Sequence, residues 1–175
     1  DGWRHLRFML MYSPRWLFLI PGSIFFILGL IFFSILEFGT LRIGRVGFGV
    51  NTLLISSMTI LLGFQLISFS IYTKAFAITE GLLPDDPKFK KLCSFITLEV
   101  GLLSGLICTL IGFCCIFYGI FNWWKTGFGN LLYYDSLRIT IPGITAGVLG
   151  IQIIFSSFFL SILGLKRGKS SEVKW

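Results

Sequence analysis

Charge is scarce in this chain. Only 13% of its 175 residues are Asp, Glu, Lys or Arg, roughly half the fraction of a soluble domain. So little polar surface excludes a water-soluble globule, and high hydrophobicity excludes intrinsic disorder. Histidine occurs once, as His5, and one imidazole without a partner makes neither a metal site nor a proton relay. The four cysteines, Cys93, Cys108, Cys114 and Cys115, all lie in or beside one apolar segment. That placement indicates neither a zinc site nor a disulfide framework, so they read as small apolar packing residues. Enzyme signatures are missing too: there is no Gly-rich phosphate loop, G-x-S-x-G, H-E-x-x-H or D-x-D. Asp85-Asp86 could pass for a metal pair, but Pro87 follows, which is the pattern of a helix start with Asp86 as N-cap.

What the chain has is apolar length. Apolar residues make up 55%, aromatics 17%, and the mean hydropathy is +0.86. Four uncharged runs are long enough to cross a bilayer core, which takes about 20 helical residues. They are Trp16 to Leu36, Leu53 to Thr73, Val100 to Phe121 and Ile141 to Leu165. Pro21 and Pro142 are expected in the first turns of their helices, where a missing N–H costs little. Arg4, Arg7 and Arg15 lead into the first run without a small-residue cleavage site, so that run is read as a retained span. Because the chain opens on Asp1, it is expected to be a processed product or part of a longer polypeptide.

The 15 Lys and Arg residues outnumber the 8 acidic ones and are unevenly spread. Arg4, Arg7 and Arg15, then Lys74, Lys88, Lys90 and Lys91, then Lys166, Arg167, Lys169 and Lys174 fall on one side of the spans. Arg42, Arg45, Lys125 and Arg138 fall on the other. The positive-inside rule puts both termini and the middle loop in the cytoplasm. The basic excess is then matched to anionic headgroups rather than nucleic acid. The expected organisation is an interfacial helix over 1–15, a four-helix membrane domain over 16–165 with a cytoplasmic loop over 74–99, and a basic tail over 166–175. The expected fold class is an all-α membrane protein with amphipathic cytoplasmic juxtamembrane helices.

Trp3, Leu6, Met9 and Leu10 share one helical arc beside Arg4 and Arg7, the pattern of a helix lying among headgroups. Trp3 and Trp16 are candidate interfacial anchors. Phe89, Leu92, Cys93 and Ile96 continue an apolar stripe, which predicts a helix running unbroken into the third span. Glu99, at that boundary, is expected to reach the interface. Gly63-Phe64-Gln65-Leu66-Ile67 matches Gly150-Ile151-Gln152-Ile153-Ile154, and Gly47-Phe48-Gly49 matches Gly127-Phe128-Gly129. These matches suggest two hairpins related as parallel repeats. Gln65, Gln152 and their neighbouring serines read as interhelical hydrogen-bonding residues, with a lipid or solute path as the alternative. Arg4, Arg7, Arg15 and Lys74 are the candidates to bind a lipid phosphate, since guanidinium groups take phosphate oxygens in pairs. Generic positive-inside charge is the plainer reading.

The run from Asp1-Gly2-Trp3-Arg4-His5-Leu6-Arg7-Phe8 through Tyr12-Ser13-Pro14-Arg15-Trp16-Leu17-Phe18 and Pro21-Gly22 resembles a known family. So do Leu41-Arg42-Ile43-Gly44, Gly63-Phe64-Gln65, Glu80-Gly81-Leu82-Leu83-Pro84 and Ser156-Ser157-Phe158-Phe159-Leu160. The family is the C-terminal membrane portion of bacterial family 2 polyprenyl-phosphate glycosyltransferases, related to dolichol-phosphate mannosyl- and glucosyltransferases. The resemblance implies an upstream or separate GT-A catalytic domain carrying a D-x-D motif and a divalent metal. It also implies a polyprenyl phosphate held by the membrane helices, whose phosphate attacks the sugar of a nucleotide donor for cell-envelope glycan assembly. No catalytic or metal residue transfers to this chain, which on this reading holds no cofactor of its own. Membrane lipids, polyprenyl phosphate and the catalytic domain are the implied partners, and a homo-oligomer stays open. The expected location is the plasma (inner) membrane. A stand-alone protein that flips or escorts a lipid-linked sugar is the alternative.

Overall fold

The computed structural model describes residues 2, 3, 15–38, 41–43, 46–84, 86–89, 91, 97–125, 127 and 133–170. Four long helices dominate. A π-helical turn over Arg15–Leu19 leads into α1 (Ile20–Phe38), followed by α2 (Val50–Thr79), α3 (Leu98–Lys125) and α4 (Tyr133–Ser170). Spans long and apolar enough to cross a membrane run over Trp16–Phe38, Val50–Thr79, Leu98–Lys125 and Ser136–Leu163. Between α1 and α2 lies an antiparallel pair of short strands, β1 (Leu41–Ile43) and β2 (Val46–Phe48), in the register Leu41 with Phe48 and Ile43 with Val46. Three-residue strands carry too little alternation to be read from sequence. They shorten the connection and bring Phe48 against the buried cluster of Leu36, Leu53 and Ile141.

Two expectations about helix ends are corrected. Pro142 lies inside α4, well past its first turn, because the helix begins at Tyr133 among polar residues. There it removes the backbone hydrogen bond that would reach the Arg138 carbonyl. Nor does a helix run unbroken into the third span. Thr97 is non-helical and starts α3 afresh, its side-chain oxygen accepting from the Val100 N–H at 3.4 Å while its carbonyl accepts from the Gly101 N–H. Glu99, exposed in the first turn of α3, suits the positive end of the helix dipole.

The C-terminus of α2 is closed by backbone chemistry. Gly81 takes φ 73°, the left-handed region that a Cβ disfavours. The Leu82 N–H then donates to the Ala77 carbonyl at 2.8 Å and the Gly81 N–H to the Ile78 carbonyl at 3.2 Å. This double bond is a Schellman cap.

α1 packs on α2 and α3 on α4, and the two hairpins meet along α2 and α4. The first contact is repeated in the second, atom for atom. A Cβ placed on Gly22 would meet the Gly63 carbonyl oxygen and the Ile67 amide nitrogen, both at 3.1 Å. One placed on Gly105 would meet the Gly150 carbonyl oxygen at 2.8 Å and the Ile154 amide nitrogen at 3.1 Å. One turn pair further on, Gly29 faces Ser56 and Ile60 as Gly112 faces Gly143 and Gly147. A single shift in numbering carries Gly22 and Gly29 onto Gly105 and Gly112, and another carries Ser56, Ile60, Gly63 and Ile67 onto Gly143, Gly147, Gly150 and Ile154. The match of Gly63–Ile67 with Gly150–Ile154 is therefore a structural repeat, with small residues letting the backbones approach closely as membrane helices require; the match of Gly47-Phe48-Gly49 with Gly127-Phe128-Gly129 falls partly outside the described residues. Counterparts also touch each other across the α2–α4 seam: Gln65 with Gln152, and the Tyr72 ring edge-on to Phe159 with centroids 4.8 Å apart. Contact between equivalents marks a pseudo-two-fold axis along the seam.

Candidate functional site

The α2–α4 seam is lined by polar side chains from mid-span toward the Lys74 end of α2. At its centre the Gln152 Nε2 donates to the Gln65 Oε1 at 3.0 Å. Toward the Lys74 end the Tyr72 hydroxyl donates to the Ser156 hydroxyl, which in turn donates to the Gln152 carbonyl at 2.6 Å. On the other side of the glutamines, Ser57 and Thr145 hydroxyls lie 2.5 Å apart and buried. Ser156 and Thr145 also bond a carbonyl one turn back in their own helix, as do the nearby Ser56 and Ser157, so burial leaves these hydroxyls satisfied. Interhelical bonding is thus what these residues do. The Gln152 Oε1 is an exception, buried without a partner among the described residues.

Lys74 tops this seam. Its ammonium donates to the Asp86 Oδ2 at 2.7 Å and sits 4.8 Å above the Phe89 ring. The other Asp86 oxygen accepts from the Lys88 N–H at 3.0 Å and the Phe89 N–H at 3.4 Å. Asp86 therefore caps a helical turn that starts at Pro87, as its spacing indicated, and ties that turn to α2. The hydrogen bond from Lys74, helped by those two N–H groups and the Lys74 charge, holds the Asp86 carboxyl below its ordinary value against a desolvation that raises it. Sequence reasoning identified the Asp86 cap but missed its pairing with Lys74. The two are twelve residues apart across the Gly81 turn, and no local spacing rule joins them.

Of the four lipid-phosphate candidates, Lys74 is the one whose side chain lies within the described residues. Arg4 and Arg7 lie outside them, and for Arg15 the backbone alone is described, at the start of the π-helical turn. Trp3 and Trp16 are 77% and 75% exposed. At the opposite end of the bundle, an Arg138 guanidinium nitrogen donates to the Leu36 carbonyl at 2.7 Å, tying the last turn of α1 to α4. Glu37 adjoins this clasp, with Oε2 buried and without a hydrogen-bond partner among the described residues. No three His, Cys, Asp or Glu side chains gather into a metal-binding group among the described residues.

Comparison with known proteins fits this architecture. Residues 71–164, which run from the Tyr72–Lys74 end of α2 through most of α4, match the glycosyltransferase family 2 C-terminal transmembrane region. The low-salt glycan biosynthesis hexosyltransferase Agl6 of Haloferax volcanii is 32% identical over 171 residues. That alignment takes in 94% of this chain and 38% of the relative, so the chain spans well under half of that protein's length. No solved structure matches the chain. With more than half of its residues matched, the chain belongs to the glycosyltransferase family 2 C-terminal transmembrane region family.

Proposed function

We propose that this chain is the membrane-anchoring and acceptor-binding part of an enzyme that moves a sugar from a nucleotide donor onto a polyprenyl phosphate. The observation that carries the reading is the family match over 71–164. The relative's name, a hexosyltransferase of low-salt glycan biosynthesis, favours a hexose destined for a glycan. In the proposed reaction a phosphate oxygen of the lipid forms a bond to the anomeric carbon as the bond to the nucleotide diphosphate breaks. A catalytic domain in the rest of the polypeptide, or in a separate chain, would carry out that step and would hold whatever metal it needs. The present chain supplies the membrane and the phosphate-holding charge.

Arg4, Arg7, Arg15 and Lys74 form the proposed cytoplasmic collar for that phosphate, with both termini on the same side of the inner membrane. Lys74 is paired with Asp86, but both side chains are about one-third exposed, at 35% and 36%. Such a pair is weak and exchangeable, so a phosphate of higher charge can compete for the ammonium. Trp3 and Trp16 hold the collar at headgroup depth.

The test is binding of the chain, in lipid nanodiscs, to polyprenyl phosphate and to the polyprenol of equal length, read by tryptophan fluorescence. The phosphate should bind at least tenfold more tightly than the alcohol. Arg4→Gln, Arg7→Gln and Arg15→Gln together should abolish most of that preference and leave the helix content unchanged. Equal binding of the two lipids, or an unaffected triple variant, overturns the reading.

A further inference from the structure

Gln65 stands at the middle of α2, and its side chain is exposed. Its Oε1 accepts from Gln152, while its Nε2 has no acceptor among the described residues. In the hydrocarbon core no water is at hand to satisfy such a group, and an unmade amide bond there is costly. The Gln65 carboxamide has two N–H groups, so even a turn of one toward the unpartnered Gln152 Oε1 leaves the other, and lipid chains offer no acceptor.

The surroundings of Gln65 indicate what covers it. The exposed residues of α2 include Ile55, Met58, Leu62, Gln65, Phe69 and Phe76, which follow one another in steps of three and four and then seven. They form one stripe, because the other faces of α2 pack on α1 and α4. Steps of three and four keep a stripe facing a partner helix in a left-handed pair. The stripe carries no charge, so two copies of it do not repel. A carboxamide is self-complementary: Nε2 donates while Oε1, with one lone pair used by Gln152, has a second to offer. The outer face of α3 is as apolar, but it carries no amide before Asn122 near its end.

We propose that the Gln65 stripe of α2 is the interface between two copies of this chain. The two Gln65 carboxamides exchange hydrogen bonds at mid-membrane, about a two-fold axis normal to the bilayer. The resulting row Gln152–Gln65–Gln65–Gln152 also joins the polar seams of both copies.

The experiment uses the full chain in lipid vesicles with its four cysteines replaced by serine or alanine. Single cysteines are placed at Met58, Leu62 or Phe69 on the stripe, and at Leu106 or Leu110 on the outer face of α3. Mild oxidation should give a disulfide-linked dimer from the stripe positions and little from α3, and the pattern should survive dilution with excess lipid. Gln65→Leu should weaken association about three- to thirtyfold, measured by energy transfer between labelled copies. Equal cross-linking from both faces, or loss of the cross-links on lipid dilution, means that lipid covers the stripe and overturns the proposal. Stripe cross-linking with unchanged association in Gln65→Leu overturns the role of the amide. Should Gln65→Leu lose helix content, the cross-linking pattern of the Gln65 chain still decides.

Discussion

Lys74 and Asp86 meet across a reversal of the chain, with Nζ 2.7 Å from Oδ2, and the same carboxylate caps the turn at Pro87. One side chain thus anchors a loop to the end of a membrane helix and starts the next helical turn. Asp86 titrates below its ordinary value of 3.8 when folded. A depressed carboxyl contributes stability that is fully present above the unfolded value and is lost as pH falls through the folded one. Hydrogen exchange at the Lys88 and Phe89 amides should therefore be slow and pH-independent, after correction for intrinsic rates, above about pH 5, and should lose protection as pH falls below 3.8. Asp86→Asn, which keeps a good cap but removes the charge, should abolish that loss of protection, and Asp86→Ala should lower protection at every pH. An unchanged pH profile in Asp86→Asn would show that the ion pair does not hold the loop.

The close approach of α3 and α4 sets a second prediction. A Cβ on Gly150 would lie 2.5 Å from the Thr109 amide nitrogen and 2.6 Å from the Gly105 carbonyl oxygen, both backbone atoms that cannot step aside. Gly150→Ala should cost about 1–3 kcal/mol as the helices separate. Gly147, also on α4, has nothing within 4 Å of its Cβ direction. Gly147→Ala should be neutral or slightly stabilising, since Ala is the better helix former. Unfolding in mixed detergent micelles measures both, and equal effects would refute the packing argument.

Long-range periodicity was legible in the chain; short-range geometry was less so. Four spans and the repeat could be read because hydrophobic runs and the Gly63–Gln65 and Gly150–Gln152 motifs persist over many residues. The glycines that build the repeat contact, Gly22, Gly29, Gly105 and Gly112, look unremarkable in sequence, since which glycine faces which neighbour is decided by helix crossing. Thr97 escaped notice as a helix start because the apolar stripe from Phe89 to Ile96 runs up to it without a phase break. The β1–β2 pair and the Arg138 bond to Leu36 depend on tertiary placement, and neither leaves a local pattern.

That Arg138 bond is the basis of a third prediction. A half-buried guanidinium donating to a helix-terminal carbonyl, beside the Glu37 carboxylate, is a charge-assisted bond in surroundings poor in water. Arg138→Leu removes the donor and leaves both the Leu36 carbonyl and Glu37 without it, which should cost about 1.5–3 kcal/mol. Arg138→Leu with Glu37→Gln should recover part of that loss, because the second change removes the carboxylate left behind. A double variant no more stable than Arg138→Leu alone would mean that Glu37 draws nothing from Arg138.

The cap of α2 couples the first of these predictions to backbone geometry. Gly81 at φ 73° lets Leu82 and Gly81 turn back onto Ala77 and Ile78, and this reversal sends the chain toward Asp86 alongside Lys74. An alanine there must take a left-handed conformation at a cost of about 1–2 kcal/mol, or let the helix run on and carry Asp86 away from Lys74. Gly81→Ala should therefore do two things that a simple loss of stability does not. It should lower protection at the Lys88 and Phe89 amides without reaching α3 or α4, and it should flatten the dependence on pH that Asp86 confers. Gly81→Asn, which tolerates the left-handed region, should restore much of both. If Gly81→Ala lowers global stability but leaves the pH profile of the Lys88 and Phe89 amides intact, the cap and the Lys74–Asp86 pair act independently, and the turn is not what brings them together.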